Sequence, residues 1–271
     1  TVAAADLQAL TDGTTYTINV ALTADAAGNT ATSDTGDTFV YDITAPSISD
    51  VVPSWGAYLN AAEDNADGTI VVTTSGAEDG QTVTVTGMGV TDTCSLSSDT
   101  CTVTVAAADL QALTDGTTYT ITVNVDDVAE NSATPDTGDT FVYDITAPLA
   151  SALSTTSGAY GVGETMEILV EYPEAVVIGT GSGTPSISLS NGNTAIYSSS
   201  PSSDSIKFVY TVSEGDTAAA DLTVVSYSGT IVDAAGNTAS ALSGNLGGVS
   251  VDGDAPDYLT STATDGDYGV G

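Results

Sequence analysis

Nine residues, TFVYDITAP, occupy positions 38–46 and return unchanged at 140–148. The match extends backwards, so that residues 1–46 align with residues 104–148 with one residue of slippage. Self-similarity at a fixed period restricts a chain to architectures built from repeated units. The proline of this motif is a ruler for a third, diverged copy. Pro46, Pro148 and Pro256 each follow an Ala, and each stands four residues after an Asp: Asp42, Asp144 and Asp252. Gly56, Gly158 and Gly266 lie ten residues beyond the prolines, and Tyr58, Tyr160 and Tyr268 twelve residues beyond. A second signature, Asp-x-x-x-Asn, recurs as DAAGN at 25–29, DVAEN at 127–131 and DAAGN at 233–237. The frame divides the chain into four pieces. Residues 1–44 read as the C-terminal half of a module, 45–146 and 147–254 as complete modules of two subtypes, and 255–271 as the start of another.

Inside 45–146, short runs rich in Val, Ile, Thr and Tyr alternate with turn sequences. SISDVV, TIVVTT, QTVTVTG, CTVTVA, TTYTITVNV and DTFVYD read as strands, and EDGQ and TDGTT as turns. About seven short strands in a hundred residues describe an antiparallel β-sandwich. AAADLQAL places Leu110 and Leu113 at helical spacing, as it does Leu7 and Leu10, and reads as a crossover of one or two turns between sheets. Tyr119 and Tyr16 follow an Asp-Gly turn at the head of a strand, the position of a tyrosine corner whose hydroxyl satisfies loop backbone.

The chain carries 36 Asp and Glu against one basic residue, Lys207, and no His, a formal charge of −35. This excludes sequence-independent nucleic-acid binding, which needs a Lys/Arg footprint, and disfavours an anionic membrane surface. No apolar run reaches the length of a membrane span, and no export signal is present at Thr1. Unscreened carboxylates oppose compaction, so divalent cations are the first partners expected. Cys94 and Cys101 suit a disulfide closing a short loop, which implies an extracytoplasmic setting. A buried thiol pair is the alternative, and the spacing lacks the further ligands zinc needs.

DAAGNTATSDTGDTFVYDITAP resembles the tandem bacterial Ig-like modules of very large, repetitive cell-surface adhesins and biofilm proteins. AAADLQALTDGTTYTITV looks like one subtype, and SGAYGVGETMEILVEYPEAVVI with IVDAAGNTA like a second, cadherin-like one. The resemblance covers nearly the whole chain and implies an all-β fold of tandem Ig-like antiparallel β-sandwiches joined end to end. It also implies Ca²⁺ held by carboxylates at module junctions, on the bacterial cell surface. Two departures matter: Glu130 replaces the usual Gly in DVAEN, where Gly tolerates φ > 0 and Glu does not, and DGDAP brings an extra Asp254.

Calcium takes oxygen ligands from carboxylates, Asn amides and backbone. One junction would draw on Asp25, Asn29 and Asp42 at the end of a module and on Glu63, Asp64 or Asp67 in AEDNADG of the next. The second would use Asp127, Asn131, Asp144 and Glu164, and the last Asp233, Asn237, Asp252 and Asp254. Proline stiffens the linker by fixing φ and extending the residue before it. The competing reading is turn chemistry alone, since Asp-x-x-Gly-Asn is also an Asx-turn sequence.

Catalysis finds no support: without His there is no Ser–His or Cys–His dyad. No phosphate loop follows a strand, and GTGSGTP at 179–185 reads as a loop. The main expectation is a non-enzymatic section of an extracellular stalk or filament, rigidified by calcium, whose partners are neighbouring modules or other copies in a fibre. A glycan or receptor would meet a tip outside this chain. One rival is a glycan- or receptor-binding module using Tyr197, Trp55 and the loops of 179–205, for which burial of Trp55 would count against binding. The other is a strand-complemented self-assembling fibre, with 257–271 as a conceivable donor to residues 1–46.

Overall fold

The computed structural model describes residues 1–30, 32–179 and 183–256. The expected start of a further module at 255–271 lies outside the described residues from position 257 on, Gly266 and Tyr268 included, as does the centre of GTGSGTP. The chain forms two compact units, Thr1–Asp144 and Ile145–Gly271. That boundary falls two residues before the one read from the proline frame.

The first unit opens with a short helix, α1 (Ala4–Gln8), and an antiparallel pair, β1 (Thr14–Val20) and β2 (Asp34–Tyr41). The central module follows with β3 (Ser47–Pro53), β4 (Tyr58–Leu59), β5 (Gly68–Ser75), β6 (Thr82–Thr86), β7 (Asp92–Ser95) and β8 (Thr100–Val105). Helix α2 (Ala107–Leu110) then leads to β9 (Thr117–Thr120), β10 (Thr122–Val125) and β11 (Thr140–Tyr143). One layer is β3-β5-β8. The other is β10-β6-β7 continued through β4-β11-β9, because β9 and β10 are one run bent at Ile121. Burial alternates along β5 and β8, as a sheet with one covered face requires. Trp55, Ile70, Val72, Val83, Leu110 and Phe141 belong to the core between the layers. The six runs read from sequence are all strands. The two-residue β4 and the four-residue β7 are too short to announce themselves by alternation. α2 joins the two layers and buries Leu110, as its leucine spacing predicts.

Three expectations meet their outcome here. Trp55 is a core residue whose ring meets Phe141 edge-on at 5.3 Å, so it offers no exposed platform. Cys94 and Cys101 are disulfide-bonded with Cα atoms 5.9 Å apart, linking β7 of one layer to β8 of the other. The tyrosine-corner bond forms twice: the Thr114 N–H donates to the Tyr119 hydroxyl at 2.8 Å, and Thr11 N–H to that of Tyr16 at 2.8 Å.

The second unit contains β12 (Ala152–Ser154), β13 (Gly158–Tyr160), β14 (Thr165–Glu171), β15 (Val177–Ile178), β16 (Ser186–Leu189) and β17 (Thr194–Ser202). They are followed by β18 (Ser205–Thr211), β19 (Thr223–Ser228), β20 (Ile231–Val232), β21 (Gly244–Asn245) and β22 (Val249–Val251). One sheet runs β12-β14-β18-β17-β16-β19-β21 and folds over a single core containing Met166, Ile168, Ile187, Phe208 and Val249. Its two edges meet, since a Cβ on Gly244 of β21 would lie 2.7 Å from Leu153 Cδ1 of β12. Tyr197 packs against this core. Both modules pair an early segment with their last strand in parallel, β4 with β11 and β13 with β22.

Candidate metal centre at the module hinge

Each Asp-x-x-x-Asn signature folds into the same closed hairpin turn. In the central module the Asp127 carboxylate accepts the Asn131 N–H at 2.8 Å through Oδ1 and the Asn131 amide at 2.9 Å through Oδ2. Its own N–H donates to Asn131 O at 3.1 Å. Asp25 and Asn29 repeat these bonds, as do Asp233 and Asn237. The Asn29 amide is the main reason the Asp25 carboxyl sits below its ordinary pKa. A three-residue hairpin loop needs its last residue in the left-handed region. Gly28 and Gly236 supply it freely, and Glu130 adopts φ 67° at the same place. The turn therefore survives the Gly-to-Glu departure at the cost of strain.

Asn131 also reaches out of its own turn. Its side-chain amide donates to the backbone carbonyl of Asp42 at 3.2 Å, across 89 residues of sequence. Asp42 follows β2 and opens the hinge whose Pro46 is buried on the central module. Glu78 completes the surroundings, with Oε2 accepting the Val128 N–H at 3.0 Å. Val40, Asp42, Glu78, Val128 and Ala129 line a cavity of about 290 Å³. The turn thus lies at the N-terminal pole of its module and faces the hinge Asp that precedes that module.

This regroups the ligands expected from the sequence. Asp25 follows β1 and Asp42 follows β2. In the antiparallel register Thr14 faces Tyr41 and Val20 faces Asp34, so the two acids stand at opposite ends of the ladder, about 20 Å apart. One ion cannot bind both. Asp127 and Asp144 are separated in the same way along β10 and β9, beside β11.

AEDNADG is taken up by local structure. Glu63 and Asn60 cap one another reciprocally, Asn60 N–H to Glu63 Oε2 at 3.2 Å and Glu63 N–H to Asn60 Oδ1 at 3.2 Å. Asp64 is buried and accepts the Tyr143 hydroxyl at 2.7 Å. Asp67 accepts the N–H of Ala107, the first residue of α2, at 2.9 Å. Glu164 repeats the capping role on the Gly161 N–H at 2.8 Å. Asp252 accepts the Asp254 N–H at 3.1 Å, so the extra Asp254 is held in the DGDAP turn.

Sequence reasoning missed three acids. Glu78 stands three residues beyond β5 and Glu174 three beyond β14, a recurrence visible only once the strands are placed. In the second unit, carboxylate oxygens of Glu174 and the buried Asp233 come within 4.8 Å of each other. The third is Asp12 of the TDG turn. It accepts the Ile43 N–H at 2.8 Å and the Thr44 hydroxyl at 2.5 Å, fastening the hinge, and the Thr44 bond chiefly lowers its pKa.

Asp42 and Glu78 line this cavity, Asp127 and Asn131 belong to the turn beside it, and the candidate ligand atoms of these four residues are oxygens, with no His or Cys among them. Such an all-oxygen set fits a hard divalent cation of the calcium type.

Among solved structures, the chain is similar to part of a 1.5-MDa bacterial ice-binding adhesin described for host cell surface retention. The two are 22% identical over 93% of this chain and 78% of that one, with a TM-score of 0.46. A Ca²⁺-stabilised adhesin by which an Antarctic bacterium reaches out and binds ice is 24% identical, with a TM-score of 0.43. There the match covers 88% of this chain and 57% of that one. A bacterial immunoglobulin-like domain from the M. primoryensis ice-binding adhesin is 27% identical over 36% of this chain and 95% of its own length, with a TM-score of 0.27. All three are parts of bacterial ice-binding adhesins, and one is described as an immunoglobulin-like domain. No protein-family model matches the sequence, and no curated protein matches it.

Proposed function

We propose that this chain is a non-catalytic section of an extracellular stalk of a bacterial surface adhesin, in which calcium bound at the hinges fixes the angle between successive modules. The observation that carries the reading is that Asp42 of the hinge and Glu78 of the facing module line one cavity, beside the Asn131 amide that donates to the Asp42 carbonyl. Asp42, Glu78, Asp127 and Asn131 would hold the ion. The ion would neutralise part of a local excess of negative charge and lock a linker that Pro46 already stiffens. The Glu174–Asp233 pair supplies the corresponding acids of the next module. Among the described residues no helix is long and apolar enough to cross a membrane. Burial of Trp55 supports a stalk section over a glycan-binding module.

Solution scattering of the full chain, with calcium and after chelation at matched ionic strength, tests the reading. A maximum dimension that rises with calcium and saturates at a small number of ions supports it. Identical profiles would leave the hinge acids as turn caps and place any rigidity in direct packing.

A further inference from the structure

The first segment and the C-terminal half of the central module carry the same side chains with opposite burial. Leu7 is 41% exposed where Leu110 is 0%, Ile18 47% where Ile121 is 1%, Val20 53% where Val123 is 0%, and Phe39 37% where Phe141 is 1%. In the central module this face is covered by residues 47–103, through Trp55, Ile70, Val72, Val83 and Val85. Those same residues also occupy the strand edges: β4 pairs in parallel with β11, and β6 pairs antiparallel with β10. Among the described residues, β1 and β2 pair only with each other, so the equivalent edges and the apolar face stand open together. Duplication thus specifies the missing surface position by position.

We propose that residues 1–44 are an acceptor for a segment with the chemistry of residues 47–103, which completes a second sandwich of the central module's subtype. The occupant brings an indole onto Phe39, as Trp55 meets Phe141 edge-on at 5.3 Å. It brings a carboxylate to Tyr41, which holds the place of Tyr143, the donor to Asp64. It brings β-branched residues onto Ile18 and Val20. The register that residues 1–44 share with 104–144 commits the face to one occupant, a segment of this chemistry, and a second copy is an outcome of the test that would overturn it. The proposal rests on the tandem-module reading but on no cation, so chelation leaves it untouched.

The test appends residues 45–103 ahead of Thr1 in the full chain, so that Val103 joins Thr1 as it joins Thr104 in the central module. Hydrogen exchange is read at the amides of β1 and β2, at two protein concentrations, with and without the addition. We expect exchange there to slow by roughly a hundredfold or more in the extended chain alone. A version whose added segment carries Trp55→Ala should recover only part of that protection. Equal protection in the two chains overturns the proposal, as does equal protection from an added segment of scrambled sequence. Protection of the 271-residue chain that rises with concentration to the extended chain's level would give the face to a second copy and also overturn it.

Discussion

The Tyr143 hydroxyl donates a 2.7 Å hydrogen bond to the Asp64 carboxylate, tying the last strand of the central module to the loop that follows β4. Both residues are buried, and Gln111 of the crossover holds the Asp64 backbone carbonyl at 3.1 Å. Asp64 is therefore part of the fabric of the module. Tyr143→Phe leaves a buried carboxylate without its donor and should destabilise the first unit by about 1.5–3 kcal/mol in urea unfolding, with the second unit unchanged.

Burial and the Asp64 bond push the Tyr143 hydroxyl up to about 12 from 10.0. A folded-state value above the unfolded one means the contribution is complete below pH ~10 and is lost as pH rises from about 10 to about 12. Thermal melts across this window should show the first unit losing stability, and Tyr143→Phe should flatten that loss. Tyr172, raised to about 12 chiefly by burial, predicts a parallel loss in the second unit that Tyr143→Phe leaves intact.

Glu130 holds a left-handed backbone conformation that Gly28 and Gly236 hold at equivalent positions. Relief of that strain exceeds the entropy Gly adds to the unfolded chain. Glu130→Gly should stabilise the first unit by about 0.5–1 kcal/mol in denaturant unfolding. A loss of stability would mean the Glu130 side chain contributes more than the backbone strain costs.

The Cys94–Cys101 bridge spans a separation of seven residues and joins the two layers of the central module. By the chain-entropy relation, a loop this short contributes about 2.5 kcal/mol. Calorimetry under reducing conditions, or on the Cys94→Ser/Cys101→Ser double variant, should lower the first unit's transition alone.

Glu78 accepts the Val128 N–H and lines the hinge cavity. Glu78→Gln keeps an oxygen for that bond and removes the charge. Calcium titration by calorimetry should show affinity at one site falling about 10–100-fold, with the circular dichroism spectrum unchanged.

Strand positions were legible because one face of each strand is buried: TIVVTT and CTVTVA alternate for the reason β5 and β8 alternate in burial. The proline frame announced the modules, and the cysteine spacing the disulfide. Asp-x-x-x-Asn was legible as a turn, because its hydrogen bonds close within five residues. The candidate site was legible in its residue types and not in its grouping. Sequence proximity joined Asp25 to Asp42, which an antiparallel register holds at opposite ends, and assigned Asp64 and Asp67 to an ion when they serve Tyr143 and Ala107.

By itself the sequence determined what depends on period and on near neighbours: an all-β tandem array, its hinges, its turns and an acid excess that calls for cations. Tertiary structure decided which acids meet. Asn131 reaches Asp42 across 89 residues, and Glu78 joins them from a loop whose sequence carries no signal. The physical reason is that strand direction reverses at every hairpin, so the two ends of one strand lie at opposite poles while residues of different modules share one. Tertiary structure also decided burial. Phe39 and Phe141 sit in the same nine-residue sentence, and only the presence of a covering layer makes one of them core.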